Sequence, residues 1–116
     1  MQTLEETLIL LAEVSRLLDE TTEDIAEMDN IAVKAKISYL RVYNTALLRS
    51  EGTADVKKAK SELESLDEMQ HKDLCESNVR VTKERLRTLR DQMEILRTTA
   101  AGQRVQFQAE PTGQWS

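Results

Sequence analysis

Turn formers are the scarcest residues in this chain, with three glycines and one proline among 116 residues. A polypeptide with so few breaks has little means of reversing direction, which argues against a many-stranded β architecture and for long helices. Aromatics make up 3% of the chain, too few for an aromatic-rich core. Cys75 is the single cysteine and His71 the single histidine. One cysteine excludes an internal disulfide and fits a reducing compartment. There is no apolar run of about eighteen residues, so no membrane span is expected. The opening residues, MQTLEETLILLAEV, are acidic ahead of their apolar patch, unlike a secretory leader. One cytoplasmic domain at most is expected.

What is abundant is charge, at 32% of residues, and heptad-spaced apolar side chains. Leu4, Leu11, Leu18, Ile25, Ala32, Tyr39 and Ala46 recur every seventh residue. Thr7, Val14, Thr21, Met28, Ala35 and Val42 form the companion line, so the stripe is interrupted only by Thr7 and Thr21. This pattern predicts one long helix over 3–49. Ser50–Thr53 holds the only interior turn signal, with Gly52 suited to the residue after a helix and Thr53 to the cap of the next. A second helix is expected over 54–101. Its stripe starts Val56, Ala59, Leu63, Leu66 and ends Val79, Thr82, Leu86, Leu89, Met93, Leu96, Ala100. The two parts are out of phase, so a slip or a break is expected in Met69–Cys75. Residues 102–116 lose the period and are expected to form a mobile tail.

Charge is segregated along the chain, with net −8 over 1–30, +5 over 31–60, −5 over 61–76 and +3 over 77–116, for a total of −5. Folding at Gly52 sets acidic blocks beside basic ones, which favours an antiparallel helical hairpin. A single seam rarely supports a unique fold. Helix one also carries apolar residues outside that seam, among them Val33, Ile37 and Leu40 at i, i+4, i+7. The expected architecture is therefore all-α: a long, coiled-coil-like hairpin assembling into a homo-oligomer.

Little here resembles an active site. His71 and Cys75 lie four residues apart and amount to half a metal site. A small apolar cysteine beside a solvated histidine is the favoured account of them. There is no Gly-rich phosphate loop and no Ser/His/Asp set, so no enzyme, cofactor or metal is expected. The stretch AVKAKISYLRVYNTALLRSEG, residues 32–52, stands out instead. Lys34 and Arg41 are seven apart on one helical line, and Lys36 and Tyr43 are seven apart on another. Cations that follow phosphates, interleaved with rings that stack on bases, suit single-stranded nucleic acid. The opposing account is that Tyr39 belongs to the core and that these bases neutralise Glu62, Glu64, Asp67 and Glu68 across the hairpin. A second basic group, Arg80, Lys83, Arg85, Arg87, Arg90 and Arg97, suits phosphate as well. The acidic start of helix one is its favoured mate.

VKAKISYLRVY, a Gly-containing turn and a second long helix ending LRTLRDQMEILRTTAAGQR together resemble the UvsY-like recombination mediators of bacteriophages. The resemblance covers roughly residues 1–107. It rests on a basic tripeptide in a long helix, Lys34-Ala35-Lys36, followed by the aromatics Tyr39 and Tyr43. It implies a closed homo-oligomer that binds single-stranded DNA and helps load a RecA-type recombinase onto DNA coated by single-strand binding protein, inside a bacterial host cell. Lys34 and Lys36 would inherit the DNA contact, and helical geometry adds Arg41 and Tyr43. The same residues also suit a coiled-coil structural or adaptor protein of a phage. A third fit is an inhibitor that docks its acidic helix, residues 5–29, on a basic host protein.

Overall fold

Thr3 starts the first helix. The Glu6 amide donates to Thr3 Oγ1 at 3.1 Å, which serves one of the amides that a helix start leaves without a partner. In the computed structural model, which describes residues 2–109, α1 then spans Leu4–Arg49. α2 spans Ala54–Glu64 and α3 spans Leu66–Ala109. No strand occurs among the described residues. Glu5 and Glu6 in the first turn of α1, and Arg49 in its last, oppose the helix dipole favourably.

The turn after α1 is built from local chemistry. Ser50 closes the helix by donating its amide to the Ala46 carbonyl at 2.9 Å and its hydroxyl to the same oxygen at 2.6 Å. Gly52 takes φ 116°, a conformation that side-chain-bearing residues rarely adopt. A β-carbon there would also meet Val56 Cγ1 at 3.2 Å. Thr53 then caps α2, accepting from the Val56 amide at 3.3 Å.

The chain forms two compact units, and both long helices contribute to each. In unit 1, the start of α1 packs antiparallel to residues 84–109 of α3. Val14, Leu89 and Met93 are its buried centre, with Leu11, Leu17, Leu18 and Leu96 packed around them. Gln103 Nε2 donates to the Gln2 carbonyl at 2.8 Å. In unit 2, Asp24–Lys83, the centre consists of Ala32, Ala35, Cys75 and Val79 with Met28 against them. Small side chains dominate this seam, which lets helix axes approach closely.

Every member of the α1 heptad stripe, from Leu4 to Ala46, is buried or half-buried. The interrupting threonines lie inside the seam, and Thr7 is fully buried with its hydroxyl donating to the Thr3 carbonyl at 3.0 Å.

The second half departs from the sequence expectation in three ways. The helix breaks at Ser65, whereas Met69–Cys75 lies within unbroken α3. The break is a local kink, because Ser65 N–H still reaches the Ser61 carbonyl at 3.1 Å and Met69 N–H reaches the Ser65 carbonyl at 2.9 Å. Ser65 Oγ bonds back to the Ser61 carbonyl at 2.7 Å, and such back-bonding bends helices.

Second, there is no phase slip. Ser61, Ser65, Glu68, Lys72, Cys75 and Val79 continue in one heptad phase with the buried and half-buried residues up to Gln103. The expected stripe of Val56, Ala59, Leu63 and Leu66 faces outward, and Leu63 is 76% exposed. The continuous hydrogen bonding through Ser65 carries the α3 phase into α2, so α2 cannot turn its apolar side inward independently.

Third, α3 does not end at Ala101 but continues through Gly102 to Ala109. A glycine inside a helix costs about 1 kcal/mol and does not end it. Of the expected tail, residues 102–109 are thus helical, with Phe107 exposed on α3. Residues 110–116, including Pro111 and Trp115, lie outside the described residues.

Candidate nucleic-acid interface

The four candidate residues belong to one stretch of α1 in unit 2. A helix advances about 100° per residue, so Lys34 and Lys36 leave it on nearly opposite sides although one residue separates them. Lys34 and Arg41 share one flank of the α1 seam, and Lys36 and Tyr43 share the other. The surrounding grooves agree with this division. Lys36 lines an open groove with Asp29, Val33, Glu76 and Arg80. Arg41 lines a different one with Thr45, Arg49 and Glu64. The structure therefore does not gather the four residues into one patch.

Between the two basic lines, the outward face of α1 is apolar. Val33, Ile37 and Leu40 are 53%, 50% and 42% exposed. Lys34, Lys36 and Arg41 are also exposed. Among the described residues, the ion pairs within 4.0 Å are Arg16–Glu20, Lys72–Asp73, Lys72–Glu76 and Arg87–Glu84, all inside one helix. Neutralisation of these bases by Glu62, Glu64, Asp67 or Glu68 across the hairpin is thus not what the side chains do. Nor does the arginine-rich part of α3 bridge to the acidic start of α1. Glu68 instead points a buried oxygen, Oε2, that has no hydrogen-bond partner.

The tyrosines are only partly available. Tyr39 is half-buried in the seam, and Lys72 Nζ lies 5.7 Å from its ring centroid, a cation–π arrangement. Lys72 also donates to Asp73 Oδ1 at 2.9 Å and Glu76 Oε1 at 3.2 Å. These two hydrogen bonds, Asp73 first, raise the Lys72 pKa above the ordinary lysine value. The rings of Tyr39 and Tyr43 are 6.0 Å apart and tilted by 44°. Tyr43 is half-buried, on the same flank as Lys36. The sequence expectation missed Lys72, whose place in the seam becomes readable only once the phase of α3 is known.

His71 and Cys75 do approach each other, with Cys75 Sγ 3.8 Å from His71 Nε2. Cys75 is buried in the core of unit 2. No group of three or more His, Cys, Asp or Glu side chains able to hold a metal occurs among the described residues. Among them, too, no helix is long and apolar enough to cross a membrane. Comparisons with protein-family models, with curated proteins and with solved structures find no match to this chain.

Proposed function

We propose that the protein is a non-enzymatic helical hairpin that assembles into a homo-oligomer and binds single-stranded DNA along α1. The observation that carries this reading is the set of exposed cations Lys34, Lys36 and Arg41, none within 4.0 Å of a carboxylate among the described residues, flanking an apolar outer face. A single strand laid along that face meets cations for its phosphates on either side and apolar side chains for its bases between them. Repetition of these two basic lines around an oligomer reconciles DNA binding with a net charge of −5. The resemblance to UvsY-like mediators extends the reading to loading of a RecA-type recombinase on DNA covered by single-strand binding protein, in the cytoplasm of a bacterial host.

A second reading draws on the same apolar face. Val33, Ile37 and Leu40 equally suit docking of a protein helix, as in a phage structural or adaptor protein.

Fluorescence anisotropy of a labelled single-stranded oligonucleotide, with a duplex control, separates the two. The DNA reading expects binding that prefers the single strand, weakens with salt, and falls at least tenfold in a Lys34→Ala, Lys36→Ala variant. Absence of binding at low salt leaves the protein-docking reading in place.

A further inference from the structure

Unit 1 carries two charged ladders that do not meet. On α1, Glu6, Glu13 and Glu20 recur every seven residues and are all exposed. On α3, Arg90, Arg97 and Arg104 recur every seven residues and are all exposed. Their heptad positions set them on opposite edges of the helix pair. The seam of α1 is Thr7, Leu11, Val14, Leu18 and Thr21, and that of α3 is Leu89, Met93, Leu96, Ala100 and Gln103. Relative to those seams the glutamates flank α1 on the side of Leu10 and Leu17. The arginines flank α3 on the side that faces Leu8, Ser15 and Thr22 of α1. Antiparallel helices bring like flanks together, so the arginine ladder faces uncharged residues in its own chain. Neither ladder has an ion pair across the seam among the described residues; Glu20 pairs with Arg16, and Arg87, beside the arginine ladder, pairs with Glu84. Glu94 and Asp19 dilute the basic edge, and Arg85 and Arg16 dilute the acidic one.

From these placements we infer that the acidic edge of α1 and the arginine edge of α3 are the two halves of a head-to-tail interface between copies of this chain. The spacing argues for a second copy as the occupant. Both ladders step by seven residues, about 10.5 Å along a helix. One rises along the chain while the other falls, because α1 and α3 are antiparallel. Aligning Glu13 with Arg97 between neighbouring copies in the same orientation therefore also aligns Glu6 with Arg104 and Glu20 with Arg90. Leu10 is exposed beside the glutamates and Leu8 beside the arginines, and the arginine stems can cover them. The interface uses a different surface on each partner, so it repeats from copy to copy and builds a multimer, closed where the rotation between copies returns to the start. This inference deepens the assembly part of the proposed function, and its residues are separate from Lys34, Lys36 and Arg41.

The test is the mass in solution, by sedimentation or light scattering, of the full chain and two charge-reversed variants: Glu6→Arg with Glu13→Arg, and Arg97→Glu with Arg104→Glu. The full chain should exceed 13.3 kDa several-fold, and each variant alone should fall to the single-chain mass with its helical circular dichroism intact. An equimolar mixture of the two, and one chain carrying all four changes, should regain the higher mass. That rescue also covers a variant that folds poorly alone. A full chain that is monomeric, variants that keep the multimeric mass, or a mixture and a four-change chain that both stay monomeric would each overturn the interface. So would an unchanged mass with lost oligonucleotide binding in the arginine variant, since the edge would then be a nucleic-acid surface. Oligonucleotide anisotropy on the same samples keeps the outcomes apart: no binding by a full chain that shows the mass pattern removes the DNA reading and leaves the interface standing.

Discussion

Lys72 occupies a seam position that an apolar residue would ordinarily fill, and it is held there by three neighbours: Asp73, Glu76 and the ring of Tyr39. Its two carboxylate hydrogen bonds, Asp73 first, favour the charged amine over the neutral one, which is why its pKa is raised. The sign of the pH effect follows from linkage. A group whose folded pKa lies above the ordinary value of 10.5 contributes its full stabilisation below that value and loses it as pH climbs through the raised one. Lys72→Gln should therefore melt below the wild type at pH 8, and the gap in Tm should narrow in buffers above pH 10.5. An undiminished gap would mean that the stem and not the charge of Lys72 is what the seam uses.

At the scale of the element, α2 is the instructive case. Judged by its own residues it is an amphipathic helix with Val56, Ala59 and Leu63 on its apolar side. In place, it turns Ser61 and Ser65 inward, 0% and 1% exposed, and leaves Leu63 in solvent. Ser61 is satisfied locally, its hydroxyl donating to the Lys57 carbonyl at 2.8 Å. Each face can be tested with one substitution. Leu63→Glu should change the unfolding free energy by no more than about 0.5 kcal/mol. Ser61→Leu should cost about 1–3 kcal/mol by overpacking a small-residue seam. Urea unfolding of the two variants checks this, and the reverse order would mean that α2 buries the face its sequence favours.

For the whole molecule, the notable quantity is exposed apolar surface. Besides the outer face of α1, Leu48 and Ile95 stand in solvent in their respective units. Surface of this kind marks contact sites when it is contiguous. If copies of the chain cover it, folding and association are linked, and mass action stabilises the folded state as concentration rises. Tm should then rise measurably when the protein is concentrated a hundredfold. A Tm independent of concentration would place association outside the folding equilibrium.

Helix formation, the turn and the α1 seam follow from local chemistry. Few glycines, a cap threonine after a positive-φ glycine, and a seven-residue apolar repeat act over a few residues each, and the sequence by itself determined them. The three departures share another origin. Whether α2 presents serine or leucine to its neighbour depends on the phase set by Cys75, Val79 and the residues after them, carried back through the hydrogen bonds at Ser65. The continuation past Gly102 accompanies the reach of Gln103 to Gln2. The candidate site divides in the same way. Charge and spacing singled out Lys34, Lys36, Arg41 and Tyr43. Spacing also put them on two helical lines; only the tertiary structure decided that Tyr39 is engaged by Lys72 and that, among the described residues, acids nearby in space form no ion pair with these bases. Side-chain partners are chosen by which flanks the seam brings together, and composition cannot encode that choice.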